Sequence, residues 1–299
     1  MKIRIPCTTA NLGVLFDKGG IALDAFFNEI VVEESSRTSI DILGEGITSL
    51  PRDKSNLVCK AISRFYALTG TREPEYNLHM INKIPLSRGL GSSAACIAGG
   101  LYAANAMSGY LLEENELIQI AAEMEGHGDN VCPAFLGGIT LYNKVSIKSF
   151  DFSDDLAFIL YIPENELSTK HSRAVLPKEY PEETKKRAEL LEIEMTDALE
   201  AKDYEKAGHL MEQDVIHQPY RKKLIPFWDE VISAAGYAGV HGTALSGAGP
   251  SMISMCSKAD MKTIIENLRD SIDKNHGLNI IGCEICKEGL IALDGGDHE

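Results

Sequence analysis
The chain has 299 residues, 44% of them hydrophobic and 24% charged, with a formal net charge of −15. That length suits one large or two ordinary domains of a soluble globular protein. The acidic balance excludes general binding to nucleic acid or to an anionic membrane surface, both of which need a basic face.

Residues 2–6 alternate as a first strand, so no leader peptide is expected. The longest apolar run, 156–162, is far short of the roughly 20 residues that cross a bilayer. Residues 7–13 form a turn ahead of an apolar segment at 20–25, and alternation marks strands at 29–32 and 39–43. Apolar residues at the helical period follow over 56–68, with Asn56 as a natural cap. Residues 76–84 then read as a strand.

The string Pro85-Leu86-Ser87-Arg88-Gly89-Leu90-Gly91-Ser92-Ser93-Ala94-Ala95 follows and opens into a helix over 94–106. Glycines two apart fold the backbone tightly and leave N–H groups uncovered, and a helix start favours an anion. A strand, a glycine loop and a helix N-terminus together describe a phosphate cradle. An ordinary serine-capped turn is the plainer reading of the glycines alone. The dinucleotide fingerprint needs a second strand ending in an acid, whereas a second helix, 113–125, comes next. The P-loop needs a Lys-Ser/Thr pair after its glycine, and there is none. A nucleotide loop of a third kind remains.

The second helix ends on Glu125, a carboxylate facing the negative end of the helix dipole, where a bound cation would turn the cost into a gain. Then comes Gly126-His127-Gly128-Asp129-Asn130-Val131. Residues 139–150 read as a last strand of a first domain, 1–150, with the polar step 151–155 opening a second, 151–299. The second half runs as a buried strand (156–162), a segment from Leu167 to Pro177 with Thr169 and Arg173, and helices over 182–200 and 203–217. Gln218-Pro219-Tyr220-Arg221 comes next, then a glycine-rich turn with Gly247 and Gly249. A strand (252–256), a helix (259–274) and strands near 278–285 and 289–293 complete an α+β pattern. Seven scattered cysteines read as structural thiols of a reducing cytoplasm, because Cys283-Glu284-Ile285-Cys286 lacks the second pair that zinc needs.

Three of these stretches, in order, resemble the signature motifs of the GHMP kinases. The first is Pro6 with Ala10-Asn11-Leu12-Gly13 and Phe16-Asp17, the second is 85–95, and the third is Gly242 to Ser251. The stretches around His127, Arg173 and Arg221 resemble the homoserine-kinase branch. The chain departs from that pattern at Leu15, where the family usually has glycine, at Gly128, where it has proline, and at Cys132, where it has alanine.

The resemblance implies a two-domain α+β fold, with a ribosomal-protein-S5-like N-terminal domain and a ferredoxin-like C-terminal domain around a cleft. It implies transfer of the ATP γ-phosphoryl group to the side-chain hydroxyl of L-homoserine, in threonine biosynthesis. Residues 85–95 would hold the triphosphate, with Asn56 near the base and Gly247 and Gly249 close to the transferred group. Ser93 and Glu125 would hold Mg²⁺, a cation that prefers oxygen ligands. Asn11, Asp17, His127 and Asn130 would surround the amino acid, with Asp17 orienting the attacking hydroxyl, whether or not it takes the proton. Arg173 and Arg221, assisted by Thr169, would clamp the carboxylate, since guanidinium binds carboxylate through paired donors. A homodimer is expected by family analogy. Another alcohol kinase of the family, such as one of the isoprenoid pathway, or an inactive nucleotide-binding regulator are the alternatives.

Overall fold
A computed structural model describes residues 1–272 and 276–293. The chain begins with β1 (Lys2–Ala10), antiparallel to the long β2 (Gly19–Glu34). At the register shift between Pro6 and Cys7, residues 24–26 bulge out of β2, so the strand segments expected at 20–25 and 29–32 are one bent strand. Its start pairs with β5 (Ile139–Tyr142) and its end with β4 (Tyr76–Asn82). Between β2 and β4 in sequence lie β3 (Ser39–Gly44), parallel to β4 at the sheet edge, and α1 (Leu57–Thr69).

Three helices cover this sheet: α2 (Ser92–Met107), α3 (Glu114–Glu125) and the short α4 (Val131–Leu136). The expected strand over 139–150 is a hairpin, in which β5 turns through Asn143 into β6 (Ile147–Phe150). The Asn143 side chain accepts from the Val145 and Ser146 backbone N–H groups, the local bonding that makes Asn a turn former.

The second half opens with β7 (Leu156–Ile162), every residue of which is buried. Strand alternation explains the unbroken apolar run. Phe158, Leu160 and Ile162 join the main core, while Ala157, Ile159 and Tyr161 join a second, smaller one. After α5 (Thr169–Ala174) come α6 (Glu182–Ala201) and α7 (Tyr204–Met211), packed into the main core through Leu191, Met195, Leu210 and Met211. Next are α8 (Gln218–Arg221) and α9 (Trp228–Ala238). Then β8 (Gly242–Leu245), β9 (Met252–Ser257), α10 (Met261–Ser271) and β10 (Asn279–Glu284) complete an antiparallel sheet of order β10-β7-β9-β8. Residues α9 and α10 supply, with Val231, Ala235, Ile264 and Leu268, close its outer face.

The polar step at 151–155 separates β6 from β7, but two features cross it. The main core takes in residues from both sides, and β11 (Ile291–Leu293) returns to pair antiparallel with β1. The last two residues of the helix expected over 259–274, and the final six of the 151–299 segment, lie outside the described residues. Among the described residues no helix is long and apolar enough to cross a membrane.

Candidate active site
The three signature stretches meet at one place, and their backbones are bonded to each other. Thr8 N–H donates to the Leu90 carbonyl (3.1 Å), and Gly247 N–H to the Ala10 carbonyl (3.1 Å). The Ser246 hydroxyl lies 2.6 Å from the Gly89 carbonyl and 2.9 Å from Thr9 Oγ1. Gly89 and Gly91 both have φ near 72°, and a Cβ on either would overlap a neighbouring motif, the Ser246 carbonyl oxygen for Gly89 and the Thr8 hydroxyl for Gly91. Glycine is therefore required here by backbone conformation and by close approach.

Between the motifs lies a cleft of about 700 Å³, including its solvent-open mouth. Its walls are Asn11, Asp17, Pro85, Ser87, Arg88, Gly89, Leu90, Gly91, Ser92, Ser93, Glu125, His127, Asp129, Asn130, Thr169, Arg173, Arg221, Gly247 and Ala248. Residues expected from stretches more than 150 positions apart thus come together. Five others stand back from the cleft. Ala94 and Ala95 are buried in the first turn of α2, Leu86 and Gly249 pack behind the loops, and Asn56 caps α1 by accepting from Val58 N–H (3.0 Å).

Gly91 starts α2, so the first N–H groups of that helix face the cleft beside Ser92 and Ser93. The Ser93 hydroxyl donates to Glu125 Oε2 (2.7 Å), where α3 ends at Gly126. A hydroxyl and a carboxylate side by side form an all-oxygen donor set, which suits a hard cation such as Mg²⁺. Arg88 does not point at the loop's N–H groups. Its guanidinium donates to the carbonyls of Leu86 (2.7 Å), Pro163 (3.0 Å) and Glu164 (2.5 Å), tying the loop to the end of β7.

The opposite wall carries charge. Arg173 holds Asp17 through two parallel hydrogen bonds, 3.0 and 2.6 Å, and this bond leads in raising the Arg173 pKa. The Ser172 hydroxyl fixes α5 by donating to the Ala248 carbonyl (2.7 Å). Arg221 is buried; its donors lie 3.3 Å from the carbonyls of Ser172 and Gly247 and from His217 Nδ1. Burial first, then the nearby Arg173 charge, lower its pKa to about 10.

Asn11 braces the site: its Nδ2 donates to the Gly247 carbonyl (2.8 Å) and its Oδ1 accepts from Asp17 N–H (2.9 Å). Asn130 Oδ1 accepts from the Thr8 hydroxyl (2.8 Å). His127 Nδ1 is bonded to the buried Asp129 carboxylate, which also accepts from Asn130 N–H (2.8 Å). Burial disfavours the charged ring, but the Asp129 bond and the charges of Asp129, Asp17 and Glu125 outweigh it and raise the His127 pKa. Asp17, His127 and Asp129 bring ligand atoms within 4.8 Å of one another, but Arg173 and the His–Asp bond already engage them.

A family model for the N-terminal domain of GHMP kinases matches residues 56–138, and one for the C-terminal domain matches 195–274. The chain belongs to the GHMP kinase family. It is 40% identical over 263 residues to a homoserine kinase of Caldicellulosiruptor bescii, covering 85% of this chain and 84% of that one. It is 36% identical over 304 residues to the homoserine kinase of Petrotoga mobilis, covering 98% and 97%. The crystal structure of homoserine kinase from Cytophaga hutchinsonii superposes with a TM-score of 0.88 at 29% identity, over 97% of this chain and 96% of that one.

At two of the positions where this GHMP kinase departs from the expected pattern, packing accommodates the residue. Leu15 is buried, lies outside the left-handed region of φ, and packs on Gly19. Gly128 has the Tyr142 ring where a Cβ would be, so a proline there would collide with it. Four residues of this GHMP kinase site were absent from the expected set: Asp129, Phe16, Ser172 and Ser246. For Asp129 the signal was present, an acid two residues beyond a histidine. Ser172 and Ser246 act through contacts spanning 76 and 157 residues, which no local pattern carries.

Proposed function
We infer that this protein transfers the γ-phosphoryl group of ATP to the side-chain hydroxyl of L-homoserine, giving ADP and O-phospho-L-homoserine. The observation that carries this reading is the facing of two unlike walls across one cleft. One is a glycine loop at a helix start; the other is an arginine pair beside a carboxylate. The first suits a triphosphate, and the second suits an amino acid, which bears an anion and a cation on neighbouring atoms.

Phosphoryl transfer needs alignment and charge neutralisation more than covalent help from the protein. The N–H groups of the 89–93 turn would take the phosphate oxygens. Ser93 and Glu125 would hold Mg²⁺, which supplies charge neutralisation on the phosphates. Arg221 and Arg173 would take the amino-acid carboxylate. Asp17, released from Arg173 by that competing anion, would meet the ammonium or orient the hydroxyl. As the hydroxyl oxygen bonds to phosphorus, the bond to the ADP oxygen breaks and the hydroxyl proton passes to solvent, directly or by way of Asp17. His127 and Asn130 would close the side of the site, with Thr169 at its rim.

Residues 1–150 would thus carry the nucleotide and 151–299 the carboxylate clamp. The free, largely buried cysteines support a reducing cytoplasm. A kinase of alcohols that carry no carboxylate would have no need of two arginines, Arg221 buried and Arg173 part-exposed, and an inactive regulator no need of intact Ser93, Glu125 and Asp17. A coupled ADP-release assay with homoserine, threonine, serine and mevalonate as acceptors tests the reading. Turnover greatest with homoserine is expected; turnover with mevalonate alone, or none with any acceptor, would refute it.

A further inference from the structure
Phe16 has no polar group and stands outside the cleft wall, yet both arginines of the clamp converge on it. The Arg221 guanidinium carbon is 5.3 Å from the ring centroid and that of Arg173 is 5.7 Å away. On the same ring His217 stacks at 5.0 Å with planes 22° apart. His217 is itself fixed, its Nε2 donating to the Gly13 carbonyl (2.8 Å). Burial lowers its pKa, with Arg221 acting in the same direction against Asp214. The imidazole, its Nδ1 lying 3.3 Å from an Arg221 nitrogen, backs the ring, and the two cations approach its π-system.

Holding two guanidinium groups together has a cost, because like charges repel and burial penalises each. Asp17 neutralises Arg173, but no carboxylate lies within ion-pair distance of Arg221 among the described residues. The negative face of an aromatic ring attracts a cation within about 6 Å of its centroid, and more strongly where water is excluded. A ring also leaves the guanidinium donors free along their edges, which a carboxylate partner would not.

We propose that Phe16 is a positioning residue for the reaction: its π-face holds Arg173 and Arg221 in the orientation that receives the substrate carboxylate. This rests on the reading of those arginines as a carboxylate clamp. Leucine at position 16 would fill similar space without a quadrupole, and the arginines would lose their common platform.

The test uses the full chain, with steady-state kinetics for homoserine and ATP separately. Phenylalanine at position 16 is replaced by analogues carrying one, two, three and five ring fluorines, which keep its shape while draining the π-face; Phe16→Tyr and Phe16→Leu accompany them. The homoserine KM is expected to rise stepwise with fluorination, roughly three- to thirtyfold across the series, as the loss of a cation–π contact implies. The ATP KM should hold, and Phe16→Tyr should retain near-normal values. A homoserine KM flat across the fluorine series overturns the proposal, whatever Phe16→Leu does. Arg173→Ala and Arg221→Lys are measured alongside. If they raise the homoserine KM while the fluorine series stays flat, the clamp stands and Phe16 is filler. If they leave it unchanged, the clamp reading falls and takes this proposal with it.

Discussion
In the free protein Asp17 and Arg173 answer each other's charge, both about one-third exposed. A partly exposed pair of this kind contributes little to stability, because water already screens it. Its consequence is for binding, since an arriving carboxylate must compete with Asp17 for the guanidinium fork. Arg173→Ala removes paired, charged hydrogen bonds, so the homoserine KM should rise roughly 10- to 100-fold. The ATP KM should stay within about twofold; equal effects on both would remove the clamp role. Glu125→Gln keeps the shape beside Ser93 but removes the one formal charge this pair offers a cation, so half-maximal activity should need much more Mg²⁺. An unchanged Mg²⁺ requirement would exclude Glu125 as a ligand.

His127 offers a pH signature. Its folded-state pKa lies above the ordinary value of 6.5, so the protonated ring is favoured by folding. The resulting stabilisation is complete below the unfolded pKa and fades as pH rises through the folded one. The gap in unfolding free energy between the wild type and His127→Gln should therefore be larger at pH 5.5 than at pH 8.5. Urea titrations at both values measure it, and a gap that widened toward alkaline pH would contradict the raised pKa.

At the scale of elements, α2 begins where two motifs touch, and Gly89 is the contact. Alanine there would need a left-handed backbone and would press its Cβ onto the Ser246 carbonyl. The cost should be on the order of 2 kcal/mol in chemical denaturation, with a marked rise in the ATP KM. A fully stable, fully active Gly89→Ala would mean that the loop need not touch the third motif.

Long periodic elements were legible in the sequence because the code for them is local. The helices over 56–68, 94–106 and 113–125 and the buried strand at 156–162 were all readable within a residue or two. The bulge that makes β2 one strand, the hairpin inside 139–150 and the short α4 were not, since partner strands and packing decide them. The cleft was legible for a different reason. Its backbone geometry restricts which residues fit, so motifs survive as recognisable strings even when far apart. What escaped was its bracing: Arg88 turned to carbonyls and Phe16 beneath the arginines.

For the whole molecule, the question is whether the two halves are separate folding units. The sheet order suggests two layers, but the segment after β10 runs back over the first half. Cys286 N–H donates to the Ala22 carbonyl (2.9 Å), Gly138 N–H to the Cys286 carbonyl (2.8 Å), and Leu290 N–H to the Ala134 carbonyl (2.7 Å). Then β11 completes the edge of β1 through Lys2, Ile3 and Arg4. Without the last strand, the edge of β1 that faces away from β2 is therefore open, and an open edge is a site for unwanted pairing. Ending the chain at Glu288 removes Leu290 from the main core together with the three paired residues of β11. The expected loss is about 2–3 kcal/mol in guanidinium unfolding, with aggregation increasing at high protein concentration. Because the main core runs through both halves, the intact chain should unfold in one transition, with near- and far-ultraviolet circular dichroism coinciding. Two resolved transitions, or a truncated chain as stable as the full one, would show that the returning strand only rests on a first domain already complete without it.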